Sequence, residues 1–212
     1  MNDVMFVIEI IGVISFAVSG SIVAMKRECD LFGVIVLGVA TATGGGIIRD
    51  MLLGIHPPIF FQKPIYAAIA AFSSVLAFLV VYFNHGTFTK HKKQIEYLDL
   101  ISDSLGLGIF VVVGINTTIS QGSQSLFLIQ FIGIMTGVGG GILRDMMAVQ
   151  IPMVLRKRIY AVAALLGGLV YYYSLAVLPP SLATVVSIGF TLTIRALAAH
   201  YKWNLPKVSL KG

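Results

Sequence analysis

Gly38–Gly54 reads GVATATGGGIIRDMLLG, and Gly133–Val149 reads GIMTGVGGGILRDMMAV. At an offset of 95, Thr41 falls on Thr136, the triplet Gly44-Gly45-Gly46 on Gly139-Gly140-Gly141, Arg49 on Arg144 and Asp50 on Asp145. The likeness extends outward. Upstream, at an offset of 94, Glu9 meets Asp103, Gly12 meets Gly106, Phe16 meets Phe110 and Gly20 meets Gly114. Downstream, after a one-residue gap, Ile65-Tyr66-Ala67 meets Ile159-Tyr160-Ala161. The matches include glycines and charges as well as apolar residues, so two merely greasy stretches do not explain them. The chain is an internal duplication.

The duplication lies in a membrane. Of 212 residues, 57% are hydrophobic and only 11% charged, with a mean hydropathy of +0.92. A soluble domain carries about 25% charged residues. A helix needs about 20 mostly apolar residues to cross the hydrocarbon core. Seven stretches qualify: Val4–Met25, Leu31–Leu53, Pro64–Phe83, Leu98–Ile119, Leu126–Val149, Ile159–Leu178 and Ser181–His200. Pro179-Pro180 divides the last two, because proline cannot continue a helix. The polar run Gln121 to Ser125 divides the fourth and fifth. The first span follows Asp3 with no Lys or Arg and contains Glu9, unlike a cleaved signal peptide.

The repeat unit is therefore three spans: repeat one over 4–83, repeat two over 98–178, and a seventh helix over 181–200, in one membrane domain over 1–212. An odd unit makes the second copy enter from the opposite side, so a pseudo-two-fold axis in the membrane plane relates the copies. In such inverted repeats, matching interrupted helices mark the ligand or ion site. The expected fold is all-α, with helices 2 and 5 kinked at the Gly triplets.

Lysine and arginine set the orientation. One side receives Lys26, Arg27, Lys90, Lys92, Lys93, Arg156, Lys157, Arg158, Lys202, Lys207 and Lys211, and the other only Lys63. The basic side is expected in the cytoplasm, leaving the N-terminus outside and the C-terminus inside. Lys90, His91, Lys92 and Lys93 read as an orientation signal or a contact for anionic lipid. Tyr201, Lys202 and Trp203 read as an interfacial anchor, and Tyr171-Tyr172-Tyr173 as the opposite aromatic belt.

Three consecutive glycines weaken a helix by about 1 kcal/mol each relative to alanine. Freed carbonyls cannot face lipid and must face protein or a wet cavity, where their oxygens can replace part of a cation's hydration shell. Thr41, Thr43 and Thr136 lie close enough to add hydroxyls, and transient K⁺ or Na⁺ at the triplet carbonyls is the expected occupancy. The alternative is close helix packing on small residues.

Arg49, Asp50, Arg144 and Asp145 lie within spans, where charges are costly and seek partners inside the bundle. Adjacent residues on a helix do not face each other, so partners are sought elsewhere. Glu9–Arg49 and Asp103–Arg144 are the expected contacts, one at each end of a pathway. Snorkelling to headgroups is the alternative for both arginines, and it is the expected behaviour of Arg195.

Other chemistry lacks support. Cys29 is the sole cysteine, and His56, His85, His91 and His200 stand apart, without metal-ligand spacing. No nucleophile–base pattern or phosphate loop appears, so no enzyme, cofactor or resident metal is expected. The net charge of +6 is concentrated in loops, which suits membrane lipids rather than nucleic acid.

GGGIIRD, GGGILRD, FAVSG (Phe16 to Gly20) and DSLGLGIF (Asp103 to Phe110) together resemble the prokaryotic TRIC channels, relatives of the trimeric intracellular cation channels. Their repeat is also known as a glycine-transporter domain, and the proteins as UPF0126 membrane proteins. The resemblance runs from the first helix to RALAAHYKWNLP (Arg195 to Pro206). It implies a homotrimer with a pore inside each subunit, permeant monovalent cations (K⁺ and Na⁺), and a pore lined by helices kinked at Gly44–Gly46 and Gly139–Gly141. It places such a protein in a prokaryotic plasma (inner) membrane. Two other readings stay open: a carrier of a small zwitterion such as glycine, whose carboxylate Arg49 or Arg144 would hold, and a scaffold in which the glycines serve packing alone.

Overall fold

The computed structural model describes residues 3–83, 92–156, 159–201 and 203. Lys90, His91, Lys157, Arg158, Lys202, Lys207 and Lys211 of the sequence reading lie outside the described residues, as do the side chains of Lys92 and Arg156. Among the described residues all regular secondary structure is helical: α1 Asp3–Lys26, α2 Leu31–Leu52, α3 Ile59–Gln62, α4 Ile65–Phe83, α5 Lys92–Ser120, α6 Leu126–Met147, α7 Met153–Arg156, α8 Ile159–Ser174 and α9 Pro180–His200.

Six of these helices are long and apolar enough to cross a membrane; α8, at 16 residues, is a shorter apolar helix. The expected sixth span, to Leu178, ends earlier, at Ser174, and a turn leads from it to Pro179-Pro180. α5 instead begins six residues earlier than the expected Leu98, extended by polar residues including the exposed Lys93 and Glu96.

Local chemistry sets the helix ends, and it repeats. Asp30 caps α2 by accepting from the amide of Gly33 at 2.8 Å. Ser125, its match at offset 95, caps α6 from the amide of Leu128 at 3.4 Å. Side-chain oxygens at this position satisfy amides that the first turn leaves free. Past the other ends, Gly54 (φ 70°) and its match Val149 (φ 52°) are both left-handed, the usual helix-ending conformation.

Packing repeats as well. α1 packs on α2 and α4 as α5 packs on α6 and α8; α2 crosses α6, and α1 lies along α5. Between the halves the matched rings of Phe16 and Phe110 stack, with centroids 5.3 Å apart and planes 17° apart. The apolar core continues through Leu107, Val111, Ile115 and Ile129. α9 lies outside the duplication, against α5 and α8. We call the end of the bundle where α1 starts the near end, and the end where α1 and α9 finish the far end.

Candidate functional site

α2 and α6 meet at the triplets. A methyl group on Gly45 would fall on the carbonyl oxygen of Thr136, and one on Gly140 on the carbonyl oxygen of Thr41, both far inside contact distance. The central glycines therefore let the two backbones touch, as small residues do between membrane helices. Gly44 lies under the terminal methyl of Leu143, and a methyl on Gly139 would stand 3.1 Å from both the Gly45 α-carbon and Ile48. The last glycines differ. A methyl on Gly46 would meet only Arg49 Nη2, at 3.9 Å, and one on Gly141 would stand 3.8 Å from Arg144 Nη2 and 3.0 Å from the Tyr160 hydroxyl. These two positions give each arginine room to fold back along its own helix.

The expected interruption is absent: both helices run unbroken through their triplets. Each triplet is pressed against the other helix, and that contact offsets the weak intrinsic helix preference of glycine. The threonines divide accordingly. Thr41 and Thr136 are fully buried, donate to Leu37 and Ile132 carbonyls at 2.6 Å, and pack on Gly20 and Gly114. Thr43 faces a cavity.

At the far end the expected Asp103–Arg144 contact forms, at 2.8 Å between Nη1 and Oδ1, with both side chains wholly buried. It belongs to a larger cluster. Arg144 Nη1 also donates to Ser19 at 2.6 Å, and Tyr160 donates to Asp103 at 3.3 Å. Arg195 of α9 donates from Nη2 to Asp103 Oδ2 at 2.7 Å and from Nε to Ser104 at 2.7 Å, with its guanidinium 4.2 Å from the centre of the Tyr160 ring. Arg195 does not snorkel. It is 5% exposed, because Asp103 offers a second carboxylate oxygen and burying an unpaired charge costs several kcal/mol. The network reaches the surface through Ser19, which donates to Asp99 at 2.7 Å, and Lys26, 3.0 Å from the same carboxylate.

The expected Glu9–Arg49 contact does not form. Glu9 accepts a hydrogen bond from Tyr66, and Arg49 binds its neighbour Asp50, with Nη2 2.7 Å from Oδ1. Arg144 likewise binds Asp145 at 2.9 Å. Adjacent residues thus do pair in both halves, contrary to the periodicity argument, because each long arginine folds back over the last glycine of its triplet. The carboxylates have a further task. Asp50 accepts the amide of Ile59 at 2.7 Å, and Asp145 that of Met153 at 2.6 Å, tying the short helices α3 and α7 to the ends of α2 and α6.

The two ends differ for a reason visible in the sequence. Ser19, which accepts from Arg144, falls on Val113 at offset 94, and a valine cannot accept from Arg49. Arg195 has no counterpart at all. Where the far end is filled by polar contacts, the near end keeps a cavity of about 150 Å³ lined by Glu9, Thr43, Gly46, Arg49, Tyr66 and Thr117 among others. At the far surface a groove of about 590 Å³ runs past Lys93, Tyr97 and Trp203 down to Tyr160 and Arg195. Arg144 and Asp103 are sealed between the two openings.

Sequence reasoning overlooked Tyr66 and Tyr160, although both stood in the matched triads that open the third and sixth spans, and Ser19, which nothing in the sequence distinguished from a packing serine. The aromatic-belt reading fails for Tyr171, which is buried and donates to Asn116 at 2.7 Å, while Tyr173 is exposed. Tyr201 and Trp203 are exposed and stacked.

A family model described as "Glycine transporter" matches residues 6–82 and again 100–176. The UPF0126 inner membrane protein YadS of Escherichia coli K12 is 38% identical over 207 residues, 96% of this chain and 95% of the relative. The UPF0126 membrane protein YvgT of Bacillus subtilis is 36% identical over 204 residues, 96% of each chain. Among solved structures, a TRIC cation channel is 36% identical with a TM-score of 0.80, covering 97% of this chain and 98% of that one. A prokaryotic TRIC channel in 0.5 M KCl is 35% identical with a TM-score of 0.84, covering 97% and 100%.

Proposed function

Because this chain belongs to the TRIC/UPF0126 family of membrane proteins, we propose that it is a monovalent-cation channel, for K⁺ and Na⁺, with one pore inside each subunit of a homotrimer. The observation that carries this reading is the column of polar and charged side chains within a single subunit. It runs from Glu9, Arg49 and Tyr66 at the near end to Asp103, Arg144 and Arg195 at the far end, and every charged side chain buried among the described residues belongs to one of these two clusters. Ionisable residues within spans are costly, and those that persist mark ion pathways.

The two halves are inverted copies, and the pathway runs along α2 and α6 beside Gly46 and Gly141. The solved relatives are cation channels, which favours conduction over carriage of glycine. The far end, where α1 and α9 finish, faces the cytoplasm, because the described loop-proximal cations Lys26, Arg27 and Lys93 lie there and the basic excess of the sequence falls in the loops on that side. We read the near end, with its cavity, as the open end of the pathway and the far end as shut by the Asp103 cluster. Carbonyl oxygens of the triplets become available to a passing cation when α2 and α6 bend there, which glycine permits at about 1 kcal/mol per residue.

Recording from purified protein in planar bilayers under a KCl gradient tests the reading. Discrete unitary currents reversing near the K⁺ equilibrium potential are the expected result. Silent bilayers together with saturable glycine uptake into liposomes overturn it.

A further inference from the structure

The four members of the near cluster, Glu9, Tyr66, Arg49 and Asp50, fall on the four members of the far cluster, Asp103, Tyr160, Arg144 and Asp145. Three contacts are common to both: tyrosine hydroxyl to acid, arginine to the next aspartate, and aspartate to the amide of the following short helix. Two ion pairs to the tyrosine-bound acid are seen only at the far end among the described residues. One is Arg144 on Asp103, helped by Ser19 where the near end has Val113. The other is Arg195 on Asp103, delivered by α9, the helix with no counterpart in the duplication. The near end, lacking both, is open to a cavity; the far end, having both, is sealed.

We infer that α9 is the gating helix, and that the far end opens by adopting the arrangement the near end already shows. α9 withdraws Arg195 from Asp103, Arg144 falls back onto Asp145 alone, and Asp103 stays with Tyr160. The geometry favours this order. Arg195 is 5% exposed and the far groove reaches it, so it can leave toward water, whereas Arg144 has no exposure. Arg144 Nη2 has no hydrogen-bond partner among the described residues, and Arg144 already holds Asp145 through Nε at 2.9 Å, so one carboxylate contact is in place when the other is released. α9 also touches the rest of the subunit chiefly through α5 and α8, so it moves without disturbing the α2–α6 crossing. The inference rests on the channel reading above.

The test uses Gly108 of α5 and Thr191 of α9. A β-carbon on Gly108 would lie 3.4 Å from that of Thr191, just under the separation of about 3.5–4.5 Å that a disulfide spans, so a shift of about a tenth of an ångström brings the pair into range. Thr191 is one helical turn from Arg195 on the same face. The variant Gly108→Cys/Thr191→Cys, in a Cys29→Ser background, is recorded in planar bilayers before oxidation, after it, and after dithiothreitol, with cross-linking verified on the same sample. The expected result is at least a tenfold fall in mean current on oxidation, reversed by reductant, at unchanged unitary amplitude. Full cross-linking with unchanged current overturns the role of α9. Ser19→Val/Arg195→Gln, which gives the far end the near-end pattern, is the second arm, and its open probability is expected to exceed wild type several-fold. An open probability at or below wild type, from a folded trimer, overturns the template. A wild-type protein that carries no current sinks the channel reading itself, and this inference with it.

Discussion

Gly45 lies against the carbonyl oxygen of Thr136, with no space for a methyl group between α2 and α6. Gly140 and Thr41 repeat the contact on the other side of the crossing. The middle of each triplet is thus a packing device and the last glycine is an opening beside an arginine, so one motif serves both tasks that its sequence allows.

Substitutions separate the two tasks. Gly45→Ala or Gly140→Ala drives a methyl into a backbone carbonyl, which cannot rotate away as a side chain would. Overpacking costs about 1–3 kcal/mol, occasionally more, and the rigid neighbour places these variants at the upper end. Gly46→Ala meets nothing closer than 3.9 Å. It is expected to give wild-type yield of monodisperse protein on size-exclusion chromatography with altered unitary conductance. Equal loss of folded protein from Gly45→Ala and Gly46→Ala contradicts this division.

The arginines are equivalent in sequence and unequal in energy. Removing Arg144 leaves Asp103 to Arg195 and Tyr160 in a wholly buried site. Breaking a buried pair costs about 3–5 kcal/mol in soluble proteins. Arg49 borders a cavity and binds one carboxylate. Arg144→Gln is therefore expected to lower the thermal unfolding midpoint in detergent clearly more than Arg49→Gln does; matched shifts would show that the far cluster adds nothing to stability.

Val149 holds the left-handed conformation that Gly54 holds in the other repeat, with φ 52° and 88% exposure. For a residue with a β-carbon this costs roughly 1–2 kcal/mol, partly offset by the greater freedom of glycine in the unfolded chain. Val149→Gly is expected to stabilise the protein by about 0.5–1 kcal/mol in denaturant unfolding. A lower midpoint would mean that the side chain gains compensating contacts in the assembly.

Cys29 is the sole cysteine and is exposed, in the turn between α1 and α2. The proposed orientation puts it in the cytoplasm. A membrane-impermeant maleimide is expected to label it in inside-out vesicles and not in intact cells; labelling of intact cells reverses the assignment of the two ends.

The duplicated stretch determined a great deal by itself. Composition and span length placed the chain in a membrane, and the offset matches announced which residues would make corresponding contacts, because a duplicated sequence presents the same side chains to the same neighbours. Glu9 and Asp103, Arg49 and Arg144, Tyr66 and Tyr160 were all legible as pairs. The tertiary structure alone decided how each pair is used. Whether a glycine triplet breaks or packs depends on what lies across from it, here another triplet with its backbone exposed. Whether an arginine reaches the acid of its own half depends on a third residue, Ser19 or Val113, brought in from a different helix. The difference between an open end and a sealed one came from that residue together with Arg195, which lies outside the repeat, because the energy of a buried charge is set by every group around it and not by its place in the chain.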